Sequence, residues 1–254
     1  MTATDFTIDD TSDSEGAKSS PRVVERYRAQ ELTTGYRLQM LFGRVADRVV
    51  SAAGVALLFL PFLIGGLLLA DIPAKLFDGW TSVESLKPSQ WLSRGDLFFT
   101  AGIFLLVLLT RRHGGRVAHQ ALALAWTAAI ILTLLMLIYL APTLQQSDFP
   151  NGRYMLGLVS GWYAGAHVAV AIYDLTRGSR WWRPPFLALA GGLGVQSMIY
   201  FFVVYAATGA PWVYWVGTNF MLQLVMSVVF VGLYRTLRHS FRPRSGRVSG
   251  YGGR

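Results

Sequence analysis

His119, His167, Gln196, Asn219 and Gln223 are imidazole and amide side chains set inside long apolar runs. Polar groups in such runs are costly to bury and are concentrated where binding or chemistry happens. His119 lies within a turn of the basic stretch Arg111–Arg116 and fits an interfacial role. His167 is deeper, in Gly161-Trp162-Tyr163-Ala164-Gly165-Ala166-His167, where small residues allow close helix approach. It can serve a site or bond to a neighbouring helix. Gln196 and Gln223 are central in their runs, with Asn219 one turn before Gln223. An amide carries donors and an acceptor, so it can read the edge of a heteroaromatic ring without burying a charge. The same groups also join helices, at about 0.6 kcal/mol each on average. Trp162, Tyr163 and Tyr200 offer stacking surfaces beside them. These seven residues, His167, Gln196, Asn219, Gln223, Trp162, Tyr163 and Tyr200, form the candidate substrate-binding set.

Catalysis is not expected. Leu158-Val159-Ser160-Gly161 lacks the first glycine of a rhomboid-type Gly-x-Ser-Gly serine, and no histidine follows in the last two runs. No paired intramembrane acids and no His/Asp/Glu cluster have metal-ligand spacing. No run contains a lysine for a retinal Schiff base. Gly191-Gly192-Leu193-Gly194 does not open a strand–helix unit, which excludes a dinucleotide loop. Neither a metal nor a cofactor is therefore expected.

The elements that must position the candidates are six apolar runs, at 49–70, 97–110, 118–141, 154–174, 184–208 and 212–234. A crossing of the hydrocarbon core needs about 20 apolar residues, so five are long enough and the second must extend into its flanks. Nineteen of the 23 lysines and arginines lie before residue 49, in 111–117, in 175–183 or after 234. Basic residues on alternate connections place those connections in the cytoplasm. The expectation is an all-α membrane protein of six transmembrane helices, multi-pass in the cell membrane, with both termini cytoplasmic.

Composition agrees. Hydrophobic residues make up 53% and the mean hydropathy is +0.40, too apolar for an ordinary soluble domain. The net charge of +9 sits beside the ends of the runs, where orientation and attraction to membrane lipid account for it without nucleic acid. No cysteine is present, which excludes disulfides and thiolate sites. The polar, acidic first twenty residues do not read as a signal peptide, so the first run is expected to act as an uncleaved insertion signal.

Four regions follow: a disordered acidic tail over 1–21, a basic juxtamembrane segment over 22–48, a transmembrane domain over 49–236 and a basic tail over 237–254. The basic segment is read either as an interfacial helix or as a polar extension of the first helix. The link 71–96, with Phe77, Trp80 and Trp91, is read as a half-buried cap over the outer mouth.

The second half resembles the queuosine-precursor transporter family, also called putative vitamin-uptake transporters. Gly165–Arg177 followed by Gly178-Ser179-Arg180-Trp181-Trp182-Arg183-Pro184 is similar to the end of that family's fourth span and its inner link. Gly194-Val195-Gln196-Ser197-Met198-Ile199-Tyr200-Phe201-Phe202 resembles the fifth span, and Phe220-Met221-Leu222-Gln223-Leu224-Val225-Met226-Ser227 the sixth. Arg111-Arg112-His113-Gly114-Gly115 is a weaker match, and the likeness covers about 97–236. The family typically has Asp at the Gln196 position and Lys at the Gln223 position, with further acids near Val107 and Ala169. Exchange of both members of an acid–base pair for amides is coherent, since losing one alone strands a buried charge.

The resemblance implies a six-span, N-in/C-in carrier of a small heteroaromatic or vitamin-like solute, without an evident proton-coupling residue. The alternative is a non-transporting membrane subunit or scaffold of a larger complex, suited by the absent intramembrane charges and the charged tails. Expected partners are membrane lipid, a small heteroaromatic solute and either a second copy or a partner membrane subunit.

Overall fold

The computed structural model describes residues 34–140, 142 and 151–241. The acidic tail 1–21, residues 22–33 of the basic segment and 242–254 of the basic tail lie outside them. The chain divides into two compact units, 1–46 and 47–254. In the first, residues 34–46 are helical and continue without a break into the first apolar run.

Six α-helices are present among the described residues: α1 (Thr34–Leu68), α2 (Arg94–His113), α3 (Gly115–Leu140), α4 (Gly152–Leu175), α5 (Arg183–Tyr205) and α6 (Trp212–Leu237). Five of them, α1 from Val45 onward and α3 to α6, are long and apolar enough to cross a membrane. These helices make the chain compatible with an integral membrane protein. α2 falls outside that group because Arg94, Asp96, Arg111 and Arg112 charge its ends.

α2 is nevertheless the most enclosed helix, with Phe99, Ile103, Leu106 and Val107 fully buried. Its 20 residues give a length of about 30 Å. Ser93 and Asp96 close a capping box at its start, each side chain taking the other's backbone N–H. Gly114, at φ +93°, ends it and lets α3 begin one residue later. The short second apolar run thus extends into both flanks. α3 and α6 carry the opposite pattern, with Leu135, Ile138, Met221 and Val229 exposed on apolar faces suited to lipid.

α4 and α5 pack more closely along their length than any other pair. Gly157, Gly161, Gly165 and Ala169 recur every four residues and so form one ridge of α4. A methyl added at Gly165 would lie 2.7 Å from the Gly192 carbonyl oxygen and 2.8 Å from Gln196 Cβ. One added at Gly161 would lie 3.0 Å from the Gln196 carbonyl oxygen. Without a hydrophobic drive between helices in lipid, such backbone contact is a main source of association.

The link between α1 and α2 folds as three 3₁₀ turns, at Lys75–Trp80, Glu84–Leu86 and Pro88–Gln90. Trp91, Leu92 and Ala74 are buried together with Phe201, Trp215 and Leu222 of α5 and α6. The link therefore does cover that end of the bundle. At the same end Arg153 donates to the carbonyls of Val203, at 2.6 Å, and Ala206. α5 stops at Tyr205, three residues short of the apolar run, and Ala207 turns away at φ +66°.

The glycine ridge predicts a mutational asymmetry. Gly165→Val should lower stability by about 1–3 kcal/mol, as overpacking does. Gly232→Ala, where nothing lies within 4 Å, should leave the melting temperature unchanged. Thermal unfolding in detergent checks both.

Candidate functional site

The closest gathering of candidate residues is where α5 meets α6. Ser197, Asn219, Gln223 and Ser227 are buried there, while Gln196, also buried, lies against Gly165 of α4. The Ser197 hydroxyl donates to Gln223 Oε1 at 2.9 Å, and the Ser227 hydroxyl donates to the Gln223 carbonyl at 2.7 Å. Gln196 Oε1, Asn219 Oδ1 and Gln223 Nε2 have no partner among the described residues. The two helices thus carry two unspent acceptors and one unspent donor. Leaving a buried polar group unmatched costs about 1–3 kcal/mol.

One turn further along α5 lies Tyr200, on the same face as Gln196 because the two are four residues apart. It lines a polar cleft of about 210 Å³ with Tyr154, Tyr205, Asp71 and Ser93. The Tyr200 ring centroid is 6.2 Å from both Tyr154 and Tyr205, edge to face in each case. The Tyr154 hydroxyl donates to the Ala70 carbonyl at 3.0 Å, which fixes that wall of the cleft. The capping link supplies Ser89, Gln90, Trp91 and Leu92 as the roof. A larger cavity of about 440 Å³ lies beside α6, but Met221 and Val225 on its wall are exposed and apolar, as on a lipid-facing groove.

His167 and Tyr163 face α3. His167 Nδ1 lies 2.7 Å from His119 Nδ1, and the rings are nearly parallel at 7° with centroids 4.9 Å apart. Such a bond needs one Nδ1 protonated and the other bare. His167 Nε2 is buried and unpartnered. The Tyr163 ring sits 4.5 Å from His167 and meets Trp126 of α3 edge-on at 5.9 Å. These contacts make the histidine pair a joint between α3 and α4.

Trp162 is fully buried and stacks on Phe99 of α2, with centroids 4.5 Å apart and planes 6° apart. Its indole N–H is turned toward Asp96 without closing a hydrogen bond. The seven candidates therefore occupy different settings. Asn219 and Gln223 lie on α6, with Gln223 bonded to α5. Gln196 and Tyr200 lie on the α4-facing side of α5, His167 and Tyr163 join α3, and Trp162 belongs to the core. Among the described residues no three His, Asp or Glu side chains converge to hold a metal.

Several participants carry no obvious sequence signal. Ser197 is ordinary in an apolar helix until its hydroxyl is seen to meet Gln223 Oε1, and Ser227 bonds back to the Gln223 backbone carbonyl. Nothing in the sequence singles out Tyr154 or Tyr205. The one available signal for the cleft was the one-turn spacing of Gln196 and Tyr200. No family model, curated protein or solved structure matched this chain.

The Ser197–Gln223 bond can be weighed by a double-mutant cycle of Ser197→Ala and Gln223→Leu on reversible unfolding. A coupling near 0.6 kcal/mol and below about 1.7 kcal/mol is expected for an interhelical bond in a membrane protein.

Proposed function

We propose that this chain is a membrane carrier for a small, uncharged, planar solute of heteroaromatic or vitamin-like chemistry. The observation that carries this reading is that Gln196, one turn from Tyr200 of the tyrosine cleft, keeps an unpartnered acceptor, with further unpartnered amide groups at Asn219 and Gln223 on the next helix. Two acceptors and a donor complement the mixed edge of a purine-like ring, and the tyrosines offer faces for stacking. A charged solute would meet no counter-ion among Gln196, Asn219 and Gln223 and would remain unpaired. Because an amide does not titrate, these residues provide no proton coupling. Passage is then facilitated or energised by a partner subunit. The resemblance of α4 to α6 to queuosine-precursor transporters supports the same solute class.

In this reading α2 is the sixth crossing, enclosed by its neighbours rather than by lipid. Both termini lie in the cytoplasm of a cell-membrane protein, as the alternation of basic links requires. A reporter fused after Arg254 should be active only on the cytoplasmic side, and an external signal would refute the topology.

The carrier reading is tested by thermal stability of the purified protein against purines, 7-deazapurines and vitamins. A ligand at about 100 times its dissociation constant adds about 2.7 kcal/mol to a reversible unfolding equilibrium. A specific stabilisation that Gln196→Leu abolishes is expected. A flat response from well-folded protein would overturn the carrier and favour the non-transporting subunit.

A further inference from the structure

At the end of the bundle opposite the tyrosine cleft, the last turns of α2, α4 and α6 and the first turn of α5 enclose a cavity of about 220 Å³. Arg111, Arg177, Tyr173, Tyr234 and Trp181 form its working wall. We propose that it binds the phosphate headgroup of an anionic lipid.

The wall is built rather than incidental. Arg111 donates from Nη1 to the Tyr234 hydroxyl at 2.9 Å and from Nε to the Phe241 carbonyl at 3.2 Å. The Tyr234 and Tyr173 hydroxyls are 2.8 Å apart. One of their two protons makes that bond, which leaves one hydroxyl free to donate onward. Arg177 donates from Nη2 to the Thr110 carbonyl, and its Nε lies 2.9 Å from Asp174 Oδ1. Each guanidinium keeps further N–H groups beyond these contacts, in the planar fork that suits phosphate oxygens.

The charge balance points to an anion. Arg235 and Arg238 stand over the Trp181 ring at 5.8 and 5.5 Å, and Arg238 Nε is buried without a partner. Asp174 is the one carboxylate paired with these four guanidiniums among the described residues. The helix C-termini that meet here add partial negative charge, which steadies the arginines but leaves them an anion short.

A lipid is favoured over free phosphate by position. The cavity opens at helix ends beside the part-exposed Trp181 and Trp182, a pair suited to headgroup depth. Leu187 and Leu233, exposed nearby on α5 and α6, offer apolar surface toward the bilayer interior. Basic pockets between helix ends are known lipid-headgroup sites. The inference does not use the carrier reading, and a lipid assay on purified protein is independent of the side this end faces.

Native mass spectrometry of the full chain, taken from phosphatidylcholine vesicles with and without phosphatidylglycerol, reads retained lipid directly. Preferential retention of phosphatidylglycerol is expected, reduced at least tenfold in Arg111→Gln and Ser179→Glu. The second variant puts a carboxylate on the exposed rim without touching the helix core. Arg116→Gln, an exposed arginine at the start of α3, should retain the wild-type preference. An equal loss in all three variants would show diffuse attraction and overturn the site. Stabilisation by inorganic phosphate with no phosphatidylglycerol preference would overturn the lipid assignment.

Discussion

The contact between α4 and α5 governs the rest of the bundle. The Gly157-Gly161-Gly165-Ala169 ridge lets two backbones approach until a single added methyl at Gly165 would press on the Gly192 carbonyl. In lipid, where apolar side chains gain nothing by leaving their solvent, closeness of this kind supplies the packing energy that a soluble core draws from water. The ridge also fixes rotation. With the glycines toward α5, His167 and Tyr163 must turn toward α3, and Gln196 is held flat against the ridge with Tyr200 one turn along. A bulkier ridge would displace the amides and the tyrosine cleft together.

That constraint explains how a protein with so few intramembrane charges holds polar groups at depth. Several polar side chains in the core are placed against specific neighbours. Ser197 serves Gln223, His119 serves His167, and Ser227 returns to its own helix. Groups are left over at Gln196, Asn219 and Gln223, as they are at His167 Nε2 and at the Trp126 and Trp162 indoles. The guanidinium cavity at the opposite end obeys the same logic with charge in place of amides.

Helix boundaries were largely legible, since apolar length and Gly/Pro punctuation are local. The run 154–174 corresponds to Gly152–Leu175, and 118–141 to Gly115–Leu140. The differences come from tertiary partners. Arg153 claims carbonyls at the end of α5, and the Ser93–Asp96 box starts α2 before its apolar run begins. Burial of the amides could be foreseen because no Asp, Glu, Lys, Arg or His lies between Pro184 and Tyr234. The His119–His167 bond spans 48 positions, and no local pattern announces it. Trp162, chosen as a stacking surface, is already stacked on Phe99, a pairing that depends on where α2 threads through the bundle. The four-residue recurrence of small residues on α4 was the strongest available clue to which faces meet.

The proposed carrier requires that solute reach Gln196 from the tyrosine cleft. Since the chain has no cysteine, Gln196→Cys places a unique thiol at the proposed site. Its rate of labelling by a small, water-soluble thiosulfonate measures access directly, with Leu189→Cys in the sealed part of α5 as the reference. The account predicts labelling at Gln196→Cys that slows when Tyr200→Trp fills the cleft. A thiol at 196 as inert as the one at 189 would mean a closed structural core, and would contradict it.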